Sequence, residues 1–209
     1  MILRSAATLQ TSCWQKDLTE AITDPKELCQ HLNLTDQDLI QANLASTQFT
    51  LKVPRPFVSR MEPGNPNDPL FLQVWPQGQE LHSQANYIPD PLGEKVATPQ
   101  IGVIHKYHGR VLLITNGSCA IHCRYCFRRH FPYNDNNLSL KQWRDALDYI
   151  SKRPEINEVI LSGGDPLTNN DKRLFTLIEA IEEIPHVTRL RIHSRLPIVI
   201  PARVTHELV

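Results

Sequence analysis

The chain has 209 residues, with 22 basic and 22 acidic side chains, so its bulk charge gives no reason to expect nucleic acid or an anionic membrane as a partner. Apolar residues make up 41% of the sequence, which is enough for a proper hydrophobic core. Because no apolar run approaches the roughly 20 residues of a membrane span, and the first residues lack the apolar stretch of a signal peptide, we expect a cytoplasmic protein. In that reducing compartment, five cysteines favour a metal site over disulfide bonds.

Three segments of the chain differ in composition and are predicted to form different structures. Residues 1–48 are expected to form short helices, two of which have Thr23 and Thr35 as predicted N-caps. Residues 49–100 are rich in proline and in turn signals, and are predicted to be an extended arm. Residues 101–209 show a regular alternation of apolar runs and helical patterns, which predicts an α/β fold.

The alternation in residues 101–209 predicts the element order β–α–β–α–β. Short apolar runs, typical of strands buried on both faces, cover residues 110–115 and 157–164, and a third strand is predicted at residues 187–197. This order is typical of a parallel sheet with right-handed crossovers. A further helix is predicted to begin at Pro201. The helix signals are Ser139 as an N-cap, the apolar face of Trp143, Ala146, Leu147 and Ile150, and a second apolar face of Leu174, Leu177, Ile178 and Ile181.

Chemically distinctive residues follow the carboxyl end of each predicted strand. Cys119 follows the first strand, the segment SGGDP at 162–166 follows the second, and HSR at 193–195 ends the third. In parallel α/β folds, the chemistry gathers at these strand ends. We therefore expect the three motifs to form one site.

Three clustered thiols have the spacing C-x3-C-x2-C, at Cys119, Cys123 and Cys126. Thiolates bind iron–sulfur clusters and zinc well. Three thiolates on a [4Fe–4S] cube leave one iron free to chelate S-adenosylmethionine (SAM), whose reductive cleavage starts radical chemistry. Two alternatives remain, namely a zinc site with His122 or His130 as its fourth ligand, and inert buried thiols. The remaining cysteines, Cys13 and Cys29, are interpreted as packing thiols.

Tyr125, placed before the last cysteine of the motif, makes the cysteine segment similar to that of the radical SAM superfamily. SGGDPL at 162–167 resembles the Gly-Gly motif of that superfamily, in which the backbone contacts the amino group of SAM and glycine permits a close approach. The segments IGVIHKYHGRVLLITNGSCAIHCRYCFRRHFPY and RLRIHSRLPIVIPARVTHELV resemble the lysine 2,3-aminomutase family. They look most like the branch that makes (R)-β-lysine for the modification of elongation factor P.

The resemblance implies a fold, an activity and a set of cofactors. The fold would be the N-terminal part of a partial (β/α)6 TIM-like barrel, preceded by the helical and Pro-rich regions. The activity would be an isomerase that converts L-α-lysine to (R)-β-lysine with a [4Fe–4S] cluster, SAM and pyridoxal phosphate (PLP). Flavodoxin or ferredoxin would supply electrons, elongation factor P and its lysyl ligase would be pathway partners, and a homo-oligomer would be a candidate assembly.

The resemblance also assigns roles to individual residues. Arg128 stands where the family places an arginine on the substrate carboxylate, a task that suits a planar guanidinium. Tyr107 matches a family tyrosine beside PLP, and Lys106 stands where other aminomutases have arginine. The remaining implied contacts are the cluster ligands Cys119, Cys123 and Cys126, and the SAM-site residues Gly163, Gly164 and Asp165.

Basic residues near the motifs allow further interpretations. Arg189, Arg191, His193 and Arg195 share one face of the third predicted strand, which indicates a ligand cavity, with an exposed edge strand as the alternative. Of these we predict Arg195, nearest the functional end, as a cofactor contact. The basic residues around the cysteines can also be interpreted as a solvated patch or as a nucleic-acid surface.

Three βα units cannot close a barrel, and the PLP-binding lysine of the family lies further along the chain than this sequence extends. Lys141, Lys152 and Lys172 lie on predicted helices and match no family lysine. We therefore expect an incomplete barrel in a truncated chain. Two hypotheses follow: a lysine 2,3-aminomutase seen in part, or a non-catalytic remnant that binds an iron–sulfur cluster or zinc and lacks the PLP half.

Overall fold

The computed structural model describes residues 14–35, 37–82, 85, 87–133 and 140–209. The predicted N-cap Ser139 and the predicted packing thiol Cys13 lie outside the described residues. No helix in the described ranges has both the length and the apolar character to cross a membrane. The helices are α1 (Trp14–Thr19), α2 (Pro25–His31), α3 (Leu39–Gln48), α4 (Arg55–Val58), α5 (Pro69–Leu72), α6 (Leu140–Ser151), α7 (Asp171–Glu182) and α8 (Leu196–Val199), with 3-10 turns at Gly78–Leu81, Pro166–Thr168 and Pro201–Arg203.

The N-terminal helices begin at aspartates and not at the predicted threonines. The Asp24 carboxylate accepts a hydrogen bond from the Lys26 amide, and the Asp38 carboxylate accepts one from the Gln41 amide. Proline is preorganised for the first helical position, so Pro25 makes the residue before it the cap of α2. The predicted caps Thr23 and Thr35 are therefore wrong, although the helices themselves are confirmed.

Four strands form one mixed sheet in the order β1-β2-β3-β4. β2 and β3 pair in parallel, as do β3 and β4, whereas β1 pairs with β2 as an antiparallel hairpin. The hairpin strand β1 was not predicted, because only its first two residues are buried and its apolar run is correspondingly short. Within the described part of the chain, the sheet contains the predicted parallel strands and does not close into a barrel. The strands are β1 (Val103–Tyr107), β2 (Arg110–Asn116), β3 (Glu158–Gly163) and β4 (Arg189–Ile192).

The end of the described chain differs from the sequence prediction. β4 stops at Ile192, and residues 196–199 form α8 where a strand through residue 197 was predicted. The ring of Pro197 fits the first turn of a helix, because the missing amide would have no helical partner there. The helix predicted to begin at Pro201 is one 3-10 turn, Pro201–Arg203.

One hydrophobic cluster joins the N-terminal segments to the sheet. It contains Leu28 of α2, Phe57 of α4 and Phe71 of α5 together with Leu113 of β2 and Leu161 of β3. Residues 49–100 thus contribute helical turns and core residues, while the domain boundaries at 48 and 100 remain predictions. The predicted apolar faces of α6 and α7 are confirmed, with these side chains buried: Trp143, Ala146, Ile150, Leu174, Leu177 and Ile181.

Candidate active site

The loop that carries the cysteines begins where β2 ends and is tied to the loop after β3. Asn116 closes β2, and its side-chain oxygen accepts a hydrogen bond from the Ser118 amide at 2.7 Å, while its side-chain nitrogen donates to the Asp165 carbonyl at 3.1 Å. The Asp165 amide in turn donates to the Ser118 carbonyl at 2.7 Å. Because β2 and β3 are parallel neighbours, these bonds hold the two predicted motifs side by side.

Both glycines of the Gly-Gly motif are required by contacts within the chain. Gly163 has φ of 120°, a conformation that side chains with a Cβ rarely adopt. A Cβ on Gly164 would lie 2.2 Å from the Ser118 carbonyl oxygen. The close approach that we expected for a ligand is therefore already needed for the cysteine loop, which passes directly over β3.

A cavity of about 320 Å³ opens beside these two loops. That size lies within the usual range for small-molecule sites. Apart from Tyr107, every residue that the sequence predicted for the site lines this cavity: Cys119, Cys123, Cys126, Arg128, Gly163, Gly164, Asp165 and Arg195. Its other lining residues include Tyr133, Ser162 and His193.

Tyr107 lies in a second cavity, of about 220 Å³. Its side chain is largely exposed, and the Arg110 guanidinium lies 5.5 Å from the centre of its ring. Lys106 lines the same cavity and donates a hydrogen bond to the Leu92 carbonyl. Arg128 lines both cavities, so it stands between the predicted SAM site and the predicted PLP neighbour.

The Arg128 guanidinium is held by a buried ion pair. Its Nε and Nη2 donate to the two carboxylate oxygens of Glu94 at 2.8 and 2.6 Å, and its Nη1 donates to Ser162 Oγ at 3.0 Å. Both partners of the pair are nearly inaccessible to solvent. A two-pronged pair of this kind fixes the plane of the guanidinium. A substrate carboxylate would therefore compete with Glu94 for Arg128.

The Asp165 carboxylate is used to organise the loops around the cavity. Its oxygens accept hydrogen bonds from Ser194 Oγ, from the Arg195 amide and from the Leu167 amide. The carboxylate thereby connects the Gly-Gly loop to the turn that follows β4. These hydrogen bonds within the chain are sufficient to explain why the motif contains an aspartate. The contact of Asp165 with SAM remains a prediction.

Arg195 reaches the cysteine loop from the turn after β4. Its guanidinium donates to the Cys123 sulfur and to the side-chain oxygen of Gln73. The guanidinium carbon also lies 5.5 Å from the centre of the Tyr125 ring. Arg195 thus touches a predicted cluster ligand directly, next to the cavity in which we expected it to contact a cofactor.

The N-terminal region holds the cysteine loop from the other side. Lys52 Nζ donates to the Cys119 carbonyl at 2.9 Å, and the His122 amide donates to the Lys52 carbonyl. Arg124 forms a two-pronged ion pair with Glu80 and also donates to the Phe49 carbonyl. The radical-forming motif predicted from the sequence is therefore framed by residues that precede it by many positions in the chain.

The two candidate fourth zinc ligands have different surroundings. His122 Nδ1 lies 2.9 Å from the Thr50 carbonyl oxygen and its ring stacks on Phe49, while His130 lines an outer cleft that Cys126 also lines. Among the described residues, no three His, Cys, Asp or Glu side chains converge on a point that would hold one metal ion. Tetrahedral zinc requires such convergence, whereas the thiolates of an iron–sulfur cube bind different irons. The three thiols are ligands of the type that an iron–sulfur cluster uses, as the spacing of the motif predicts.

Burial dominates the electrostatics of the thiols. It raises the pKa of Cys119 to about 12, with the nearby charge of Asp165 adding to the effect. Burial also raises the pKa of Cys126, against the opposing hydrogen bond from the Arg128 amide. A bound metal centre reverses this tendency, because a coordinating thiol is deprotonated.

Two of the arginines on β4 serve a purpose other than lining the cavity. Arg189 and Arg191 form ion pairs with Glu158, whose side chain is only 3% exposed, and Arg110 approaches the same carboxylate. These two arginines are themselves exposed, as the edge-strand alternative predicts. Only His193 and Arg195, beyond the end of β4, reach the cavity.

Comparison with known proteins identifies the class of this site. Residues 113–200 match the radical SAM superfamily, and this segment contains the three cysteines, the Gly-Gly motif and Arg195. The chain therefore carries a radical SAM domain, as the cysteine spacing predicted.

Individual relatives show which proteins of that superfamily the chain resembles. The chain is 50% identical over 194 residues to L-lysine 2,3-aminomutase of Haemophilus influenzae, covering 93% of this chain and 57% of the relative. It is 48% identical over 197 residues to the protein of that name from Escherichia coli, covering 94% and 57%, and 35% identical over 197 residues to that of Clostridium subterminale, covering 94% and 47%. The predicted resemblance is confirmed: the chain is similar to proteins named L-lysine 2,3-aminomutase over more than nine-tenths of its length, and it spans somewhat more than half the length of the first two relatives.

Several residues around the site could not be found from the sequence. Glu94, Lys52 and Gln73 contact the site from segments far from its motifs, and no local pattern marks them. Tyr133, whose hydroxyl donates to the Gly163 carbonyl at 2.7 Å, lies at the end of the cysteine segment, and its position there is a local signal in the sequence.

Proposed function

We propose that the protein to which this chain belongs is a radical SAM, PLP-dependent lysine 2,3-aminomutase that converts L-α-lysine to (R)-β-lysine. The observation that carries the proposal is the grouping of the three thiols, the Gly-Gly loop and Arg195 around one cavity. The identity of 48–50% to proteins named L-lysine 2,3-aminomutase supports the choice of substrate and reaction.

The residues present suit a cluster and SAM. Cys119, Cys123 and Cys126 would hold three irons of a [4Fe–4S] cluster, and the backbone at Gly163 and Gly164 would receive SAM beside the open iron. When bound, the two groups supply a 5′-deoxyadenosyl radical. The chain's own part is to position these groups. The hydrogen bonds between the cysteine loop and the loop after β3 fix the position of the thiols relative to the Gly-Gly motif.

The substrate would lie between the two cavities. Arg128, which lines both, would bind the carboxylate of lysine through its planar guanidinium. Since Glu94 occupies the same guanidinium, the substrate carboxylate must displace or share this pair. Tyr107 would stand beside PLP in the second cavity, and Lys106, which lines the same cavity, would be the residue that contacts its phosphate.

The wider role follows the same family resemblance. The product (R)-β-lysine would be passed to the lysyl ligase that modifies elongation factor P, in the cytoplasm. An electron carrier such as flavodoxin or ferredoxin would reduce the cluster. These partners are proposed from similarity to the branch that serves elongation factor P.

The test is a reaction with the anaerobically reconstituted protein, dithionite, SAM, PLP and isotopically labelled lysine. Formation of labelled β-lysine, lost in Arg128→Lys through a raised KM for lysine, would support the proposed activity. Release of 5′-deoxyadenosine without β-lysine would show a working SAM site and would contradict aminomutase activity of this polypeptide. If the protein holds a full cluster and forms neither 5′-deoxyadenosine nor β-lysine, this result would contradict radical SAM activity altogether.

A further inference from the structure

Lys52 lies outside the segment that matches the radical SAM superfamily, yet its side chain reaches the first predicted cluster ligand. Its Nζ donates to the Cys119 carbonyl at 2.9 Å. The carbonyl accepts this bond from a residue that precedes it by 67 positions. The matched segment, residues 113–200, therefore does not contain all the groups that shape the cysteine loop.

The backbone around Lys52 is fixed on both sides, so its side chain is preorganised for this contact. Leu51 and Val53 are fully buried, and Val53 exchanges two backbone hydrogen bonds with Ile22. The Lys52 carbonyl accepts a hydrogen bond from the His122 amide at 2.9 Å. The fixed backbone holds the base of the side chain within reach of the Cys119 carbonyl, so that this contact has to order only the side-chain torsions of Lys52.

The ammonium of Lys52 also brings a positive charge to the cysteine loop. Within the described ranges, Lys52 forms no ion pair. No carboxylate in those ranges therefore pairs with its ammonium. Arg195 places a second cation on the other limb of the loop, against the Cys123 sulfur. One-electron reduction adds a negative charge to an iron–sulfur cluster, and nearby charge and hydrogen bonds set its reduction potential.

We propose that Lys52 is a positioning residue of the cluster site: its ammonium holds the Cys119 limb of the loop, and its charge favours the one-electron reduced cluster. This inference rests on the proposed function, because it requires a cluster at the three cysteines. The electron comes from a one-electron reductant, which is dithionite in the assay, and the oxidised cluster accepts it without any bond being broken.

The experiment is a redox titration of the reconstituted protein, followed by the EPR signal of the reduced cluster. Lys52→Met removes the charge, Lys52→Arg keeps it, and Lys152→Met is the matched control, because Lys152 is an exposed lysine paired with Asp148. At the wild-type midpoint, Lys52→Met should show about a tenfold lower ratio of reduced to oxidised cluster, which is about 59 mV for one electron. Lys52→Arg and Lys152→Met should keep the wild-type ratio.

An unchanged midpoint in Lys52→Met with a full cluster would overturn the inference and leave the proposed function intact. If Lys52→Met loses its cluster, the apo protein is compared with apo wild type by urea unfolding. Equal apo stability, with a cluster retained in Lys52→Arg, supports the positioning role. A destabilised apo Lys52→Met shows a merely structural lysine and overturns it. Failure of the wild type itself to form a cluster would refute the proposed function as well.

Discussion

Gly164 should tolerate no side chain, because a Cβ would collide with the backbone of the cysteine loop. In Gly164→Ala the added carbon would lie 2.2 Å from the Ser118 oxygen, 2.5 Å from its carbonyl carbon and 2.7 Å from its nitrogen. All three atoms are backbone, so no rotation of a side chain can relieve the overlap. The loop must shift by roughly 1 Å, and overpacking of this kind costs about 1–3 kcal/mol.

We expect the upper end of that range, about 3 kcal/mol, because the moved segment leads directly into Cys119. For a chain of this size that free energy lowers Tm by about 6–12 °C. The measurement is thermal unfolding of the apo protein, with iron bound per chain after reconstitution as the second readout. We expect the iron content to fall as well, since Ser118 and Cys119 are adjacent.

The matched control is Gly109→Ala in the turn between β1 and β2. The nearest atom to a Cβ there is 3.6 Å away, an ordinary contact, so this variant should remain within about 0.5 kcal/mol of wild type. A Gly164→Ala protein with wild-type Tm and full iron content would refute the argument that the Gly-Gly loop and the cysteine loop are in direct backbone contact.

Two further predictions concern buried charges. Burial opposes ionisation of Glu80, but hydrogen bonds from Arg124, from the Gln77 amide and from Arg129 outweigh it and lower the pKa of this carboxyl. Glu80→Gln should therefore lower the free energy of unfolding in urea by about 2 kcal/mol at pH 7. This difference from wild type should disappear as the pH falls from about 4.3, the ordinary pKa of a glutamate, through the lower pKa of Glu80 in the folded protein. A difference that does not depend on pH would contradict this prediction. Arg203 is fully buried, donates to the Leu167 carbonyl at 2.7 Å and pairs with Asp171 at 2.6 Å. Arg203→Met should cost about 3 kcal/mol in urea unfolding, whereas Arg55→Met, which removes the half-exposed pair with Glu27, should cost under about 1 kcal/mol; equal effects would contradict the role of burial.

The parallel strands and the helices between them could be predicted because their sequence patterns are local. β3 is buried along its whole length, so its run of apolar residues is continuous, and α7 buries one face at helical spacing. β1 could not be predicted in the same way, because its second half is exposed and it is defined by pairing with β2. The residues of β4 that looked like the wall of a ligand cavity instead surround Glu158, a buried partner from the neighbouring strand.

The candidate site shows the same division between local and distant information. The cysteine spacing and the Gly-Gly motif are local signals, and the structure brings them to one cavity. The ion pair of Glu94 with Arg128 and the bond from Lys52 to Cys119 depend on how distant segments fold together, so no pattern in the sequence announces them. The role of Gly164 was predicted as contact with a ligand, whereas its contact with Ser118 depends on the three-dimensional path of the cysteine loop.

The most direct test of the central claim is EPR spectroscopy of the reduced, reconstituted protein with and without SAM. We expect a reduced [4Fe–4S] signal that changes when SAM binds the open iron and that is lost in Cys126→Ala. The Cys29→Ala variant is the control, because Cys29 is buried in the core away from the cavity and should leave the signal unchanged. Bound zinc in place of iron, or a cluster whose signal does not change with SAM, would contradict a radical SAM site at the three cysteines.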